Sequence, residues 1–197
     1  MKYTKVPETT FQKLQLNAGI LLRNFDPEAA TVERAGIIGA TTGGVNFTAT
    51  PSYSDFGDDI DNVPANMKEL KKLDSWAVSM GGTFVTIDAA GAKSLMGAAD
   101  VSGNKITPRN DVLADDFEDL WWVGDYSDEN SEEAGGFVAI HMMNTLSTGG
   151  LSIRSTDNGK GNFAFTYTAH YSMDDPDKVP FEVYVQAGES SEAQAEE

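Results

Sequence analysis

The run Phe163-Ala164-Phe165-Thr166-Tyr167-Thr168-Ala169-His170-Tyr171 alternates along its whole length. Phe163, Phe165, Tyr167, Ala169 and Tyr171 fall on one face, and Ala164, Thr166, Thr168 and His170 on the other. A period of two is the repeat of a β-strand, and an apolar face opposed to a more polar one marks a strand with half its surface buried. Just upstream, Leu151 and Ile153 alternate with Ser152 and Arg154, and Asp157-Asn158-Gly159-Lys160 supplies residues that tolerate positive φ. The pair therefore reads as a β-hairpin. Phe137 to Leu146 makes another strand, and Phe181, Val183 and Val185 a last one after the Asp174-Asp175-Pro176 turn.

The N-terminal half is patterned in the same way. Leu14, Leu16, Ile20 and Leu22 lie on one face of a strand that stops near Asp26-Pro27, and Val45, Phe47 and Ala49 alternate with Asn46, Thr48 and Thr50. From Trp76 the even positions are apolar (Trp76, Val78, Met80), whereas after Gly81-Gly82 the odd ones are (Val85, Ile87). A β-bulge at the glycine pair would absorb that slip. Two helices are predicted. Thr107 as N-cap and Pro108 at the first helical position would open one carrying Leu113, Phe117 and Leu120 at helical spacing; Asp88 would cap another running to about Ala98. Residues 51–73 show no clear period and read as a long loop. The expected fold is mainly β, a β-sandwich or barrel-like sheet pair with one or two short α-helices. It forms a single domain over residues 1–187, followed by an acidic, disordered tail over 188–197.

Charge and composition exclude several function classes. The 197 residues carry 31 acids against 14 bases, a formal charge of -17, so the average surface repels phosphate and a DNA-gripping role is not expected. The absence of cysteine removes disulfides, thiolate catalysis and cysteine zinc sites. No apolar run reaches the roughly 18 residues of a membrane span, and Met1 to Tyr3 leads into polar sequence rather than a secretory leader, so synthesis in a cytoplasm is expected.

Candidate chemistry is sparse. Gly39-Ala40-Thr41-Thr42-Gly43-Gly44 lacks the Lys-Ser/Thr of a phosphate-binding loop and is followed by strand sequence, so it reads as a turn. His141 and His170 sit in different strands with no ligand-spaced partner. The acids from Asp111 to Glu133 match no calcium-loop pattern and read as a solvated face. No catalytic residue, cofactor or metal is expected. Trp121-Trp122 carries more information. Adjacent strand residues point to opposite faces, so the Trp that does not enter the core is covered either by another subunit or by a loop of the same chain.

Several stretches share a pattern with a known family: Phe11-Gln12-Lys13-Leu14-Gln15-Leu16-Asn17-Ala18-Gly19-Ile20-Leu21-Leu22 with Phe25-Asp26-Pro27, the Gly39 to Gly44 segment, and Asp55-Phe56-Gly57-Asp58-Asp59-Ile60-Asp61-Asn62. Lys68-Glu69-Leu70-Lys71, Asp74-Ser75-Trp76, Ile106-Thr107-Pro108-Arg109, Asp116 to Tyr126 and Val179-Pro180-Phe181-Glu182-Val183-Tyr184 complete the set, which spans nearly the whole chain. Together they resemble the major tail protein of siphovirus-type bacteriophages and prophages of Firmicutes. The resemblance implies a phage tail tube-like fold, a β-sandwich flanked by a helix, in which six copies close a ring and rings stack into a tube that conducts DNA. The implied partners are other copies of the chain and the tape measure, terminator and distal tail proteins, with DNA passing unbound, and the implied location is the virion, assembled in the bacterial cytoplasm. It also makes the 51–73 loop an inter-subunit contact, with Phe56, Ile60, Met67, Lys68, Lys71 and Lys72 as its contact residues and Trp121 and Trp122 as further candidates. Two rivals stand beside it. One is a β-sandwich adhesin or carbohydrate-binding protein stacking sugars on Trp121, Trp122 and Tyr126. The other is a hydrolase using His141, His170 and scattered Asp residues.

Overall fold

The computed structural model describes residues 5–7, 10, 13–126 and 136–187, so the acidic tail expected over 188–197 lies outside the described residues. Among those described, the strands are β1 (Gln15–Leu22), β2 (Thr41–Asp55), β3 (Lys71–Phe84), β4 (Ala99–Ser102), β5 (Lys105–Pro108), β6 (Glu118–Tyr126), β7 (Gly136–Ser147), β8 (Ser152–Arg154), β9 (Asn162–Ala169) and β10 (Phe181–Gln186), with the helix α1 (Ala89–Met96) between β3 and β4. The fold is mainly β. One sheet runs in the order β1-β6-β7-β9-β3-β2, with β10 also paired to β7 and β8 to β9; β4 and β5 form a separate hairpin. Every pairing is antiparallel. The chain entering β2 turns back onto β1, with Ile38 N–H donating to Leu21 O at 3.0 Å and Arg23 N–H to Gly36 O at 3.0 Å. An isolated bridge between Leu22 and Ile37 thereby brings the two ends of the sheet together, and it curls round its main core as a barrel-like body.

The interior is filled by the apolar faces that the alternation marks out. Phe165, Tyr167 and Ala169 of β9 point inward with Val78, Met80 and Phe84 of β3, Leu120 of β6, and Ile140 and Met142 of β7. A second, smaller cluster occupies the opposite face of β1, β6 and β7, where Leu22, Trp121, Val123, Phe137 and Ala139 are covered by Phe25. Consecutive residues such as Leu21 and Leu22 are thus both fully buried, one in each cluster. The expectation that Leu14, Leu16, Ile20 and Leu22 share one buried face is corrected: Leu14 is exposed, and β1 shifts register between Leu16 and Ile20, where Asn17 and Gly19 take positive φ.

The helix predicted from Asp88 is present. The Asp88 carboxylate accepts the Gly91 N–H at 2.6 Å, Gly97 stops the helix with φ +75°, and Leu95 projects into the core. The helix predicted from Thr107 is not. Thr107 and Pro108 end β5, and residues 109–117 wind round an ion pair in which both Asp116 oxygens accept from Arg109 Nη2, at 2.6 and 2.7 Å. Asp116 also accepts the Leu113 N–H at 2.9 Å, which closes a 3-10 turn over Ala114–Asp116. Leu113 is exposed and Leu120 belongs to β6, so their helical spacing is coincidental.

The bulge expected at Gly81-Gly82 is also displaced. β3 pairs with β9 in unbroken register through both glycines, and the irregularity lies opposite, in β2 between Thr41 and Val45. Gly43 and Gly44 take φ of +76° and +82° there, so the segment read as a turn is a bulge within a strand. In β3 the even positions stay inward to Phe84, and Val85 and Ile87 lie past the strand's end. Gly82 is needed for a different reason: a Cβ there would stand 2.7 Å from the Phe165 ring.

Candidate assembly surfaces

The segment expected as a 51–73 loop is largely the outer half of a long hairpin. β2 and β3 pair from Thr41↔Phe84 to Asp55↔Lys71, whereas β9 flanks β3 only over Ser79 to Phe84. The hairpin therefore runs beyond the sheet. Its period was hidden because Tyr53, Leu73 and Ser75 are all exposed, with no buried face to select an alternation, and because the register shifts between Ser52 and Tyr53. At its base Trp76 packs edge-on against Phe181, with centroids 5.5 Å apart, and its backbone N–H donates to Tyr171 Oη at 2.9 Å.

Asp55 organises the tip. Its carboxylate accepts the Gly57 N–H at 2.9 Å and the Asn66 N–H at 3.0 Å, while Phe56 N–H donates to Leu70 O at 3.0 Å. Asn62 and Asn66 take the positive φ that the reversals require. Held on this frame, Phe56 is 60% exposed and Ile60 48%, and Met67 is exposed too. Lys68 reaches into solvent near Glu69, Lys71 Nζ donates to Asn66 Oδ1 at 2.8 Å, and Lys72 is exposed on β3. The six hairpin candidates therefore share one projecting element, joined by exposed Tyr53 and Leu73.

Trp121 and Trp122 are placed otherwise. Trp121 is only 7% exposed and stacks face to face on His141, with centroids 4.0 Å apart and planes 5° from parallel. Phe25 closes over it edge-on. Trp122 points to the opposite face, donates from Nε1 to Ala18 O at 3.0 Å, and lies across Gly19 and Gly124, where a Cβ would strike its ring. Trp121 is buried and Trp122 half-buried, both against residues of their own chain, with Tyr126 half-buried further along β6.

The two histidines lie in separate clusters. His141 Nε2 lies 3.0 Å from Asp119 Oδ2, and Nδ1 lies 3.8 Å from Glu182 Oε2. The Tyr184 hydroxyl donates to Glu182, which holds that carboxyl below its ordinary range and raises the Tyr184 phenol. His170 Nδ1 sits 3.1 Å from Asn144 O and the ring meets Phe117 edge-on. The two histidines thus serve separate strand contacts. Among the described residues no group of three or more His, Asp or Glu stands in a metal-binding arrangement. No helix there is long and apolar enough to cross a membrane.

One surface was missed. In β10 Phe181 packs on the main core and Tyr184 on the second cluster, while Val183 and Val185, further along the Phe181 face, are 50% and 60% exposed on a strand that pairs with β7 alone among the described residues. They line an open groove of about 550 Å³ with Pro27, Glu28 and Phe137. Alternation located the strand but could not say that its valine face lacks a cover. No protein-family model matches the sequence, and no curated protein matches it.

Proposed function

We propose that this chain is a structural subunit that closes into rings, six copies to a ring in the family it resembles, which stack into the tail tube of a siphovirus-type phage or prophage. The observation that carries the reading is the β2–β3 hairpin, which leaves the sheet and holds Phe56, Ile60 and Met67 in water on a built frame. Apolar side chains presented in this way are a contact surface awaiting a partner. A projection on one end that docks elsewhere on the next copy is a heterologous contact, which repeats without limit. The formal charge of -17 is compatible with a conduit, because a surface rich in acids offers few of the counterion-releasing contacts that make DNA adhere.

In this reading the protein performs no catalysis and needs no cofactor. Its partners are its own copies and the tape measure, terminator and distal tail proteins, and its place is the virion, after assembly in the bacterial cytoplasm. The test replaces Phe56–Ala65 with a short Gly-Ser linker and compares both proteins by negative-stain microscopy at high concentration. Wild type is expected to form tubes, and the variant to remain as folded subunits or single rings. Wild-type protein that stays monomeric overturns the tube reading. Normal tubes from the variant overturn the role of the hairpin.

A further inference from the structure

The tip joining β8 to β9 contains a reactive peptide link. Of the 11 asparagines, Asn158 alone is followed by glycine. The last rung of the hairpin is Arg154↔Asn162, and residues 155–160 beyond it are all exposed. Two features of the turn impose the pair. Position 158 takes φ +55°, where asparagine is among the few side chains tolerated, and a Cβ on residue 159 would collide with the Thr156 hydroxyl. The turn therefore favours Asn or Gly at 158 and requires Gly at 159, and Asn followed by Gly is the combination in which a backbone nitrogen most readily reaches a side-chain amide, because no Cβ on the following residue blocks the approach.

We infer that Asn158-Gly159 is a site of spontaneous modification, at which the chain converts Asn158 to a mixture of aspartate and isoaspartate. The Gly159 nitrogen loses its proton and bonds to Asn158 Cγ; the Cγ–Nδ2 bond breaks, and ammonia leaves with that proton, closing a succinimide. Water then opens the ring. Cleavage between nitrogen and Cγ gives aspartate, cleavage between nitrogen and the main-chain carbonyl carbon gives isoaspartate, and nothing is oxidised or reduced. Two hydrogen bonds oppose the attack, Gly159 N–H to Thr156 O at 3.1 Å and Asn158 Nδ2 to Asp157 Oδ2 at 3.2 Å. Both are exposed to water, which replaces them at little net loss. Either product adds a negative charge beside Asp157, and isoaspartate also lengthens the backbone of the turn by one methylene.

The test incubates the full-length protein at mildly alkaline pH and follows it by peptide mapping that separates aspartate from isoaspartate. The expected result is conversion at Asn158, isoaspartate included, ahead of every other asparagine and faster as pH rises. In Asn158→Gly, which keeps the left-handed backbone, the isoaspartate signal is lost. Asn158 remaining intact while another asparagine converts overturns the inference. So does an intact Asn158 in the protein when a free peptide of residues 154–162 reacts, since the folded turn would then suppress the chemistry.

Discussion

Asp116 shows how much one side chain can hold in this fold. Its carboxylate is 1% exposed, caps the Leu113 N–H, and takes both of its guanidinium bonds from Arg109, whose Nε also lies 3.0 Å from Asp100. The Leu113 N–H, and then Arg109, hold its carboxyl below the ordinary value of 3.8, against burial, which acts the other way. Asp116→Asn should cost roughly 1–3 kcal/mol, because it weakens the charge-assisted bonds to Arg109 and the Leu113 N–H while Arg109 keeps Asp100. Urea or thermal unfolding measures it. Because the folded carboxyl is the stronger acid, the unfolded chain takes up the proton first as pH falls. The contribution is whole well above the ordinary value of 3.8 and drains away as pH drops through it and then through the lower folded value, so the wild-type advantage should shrink as the solution is made more acid. Gly82→Ala should cost about 1–3 kcal/mol, since the Phe165 ring must move to admit the methyl. Both sites were invisible in the sequence: Asp116 sits among acids that read as solvated, and Gly82 read as a bulge, because neither pattern reveals a partner from another strand.

Among the elements, β9 and α1 were legible because each has one buried side and local punctuation, the alternation of Phe165 and Tyr167 in one case and the Asp88 cap in the other. β1 and β6 were harder. Both bury residues on two faces, so Leu21-Leu22 and Trp121-Trp122 carry no alternation to read, and the cover for each Trp comes from distant chain. The hairpin residues were found for the opposite reason: Phe56, Ile60 and Met67 are apolar where nothing periodic surrounds them, which is how an uncovered surface looks in a sequence. β10 is an edge strand on which Val183 and Val185, on the same face as Phe181, are exposed, with no lysine on that face to deter pairing. Val183→Lys with Val185→Lys should leave the circular dichroism unchanged and weaken concentration-dependent association, read by sedimentation velocity. Unchanged association would mean that this edge stays free in the assembled state.

At the level of the whole molecule, copies carrying -17 each must approach one another before any surface can dock. Raising ionic strength from about 0.01 to 0.15 M shortens the screening length from about 30 to 8 Å, so assembly should accelerate with salt if net repulsion governs the encounter. Light scattering reads the rate. Slower assembly at higher salt would point instead to steering by Lys68, Lys71 and Lys72. The closure of the sheet has a consequence in time. Ala18 and Trp122, bonded across β1 and β6, stand 104 residues apart, and β3 waits similarly for β9. At about 5–20 residues per second of synthesis, β1 spends roughly 5–20 s outside the ribosome before β6 exists. Over that interval β1 is without its β6 partner, and β3 has β2 but not yet β9. Ribosomes arrested at Gly103 should carry a nascent chain that protease digests throughout, and a resistant N-terminal half at that length would mean that it folds without the strands that flank it in the finished protein.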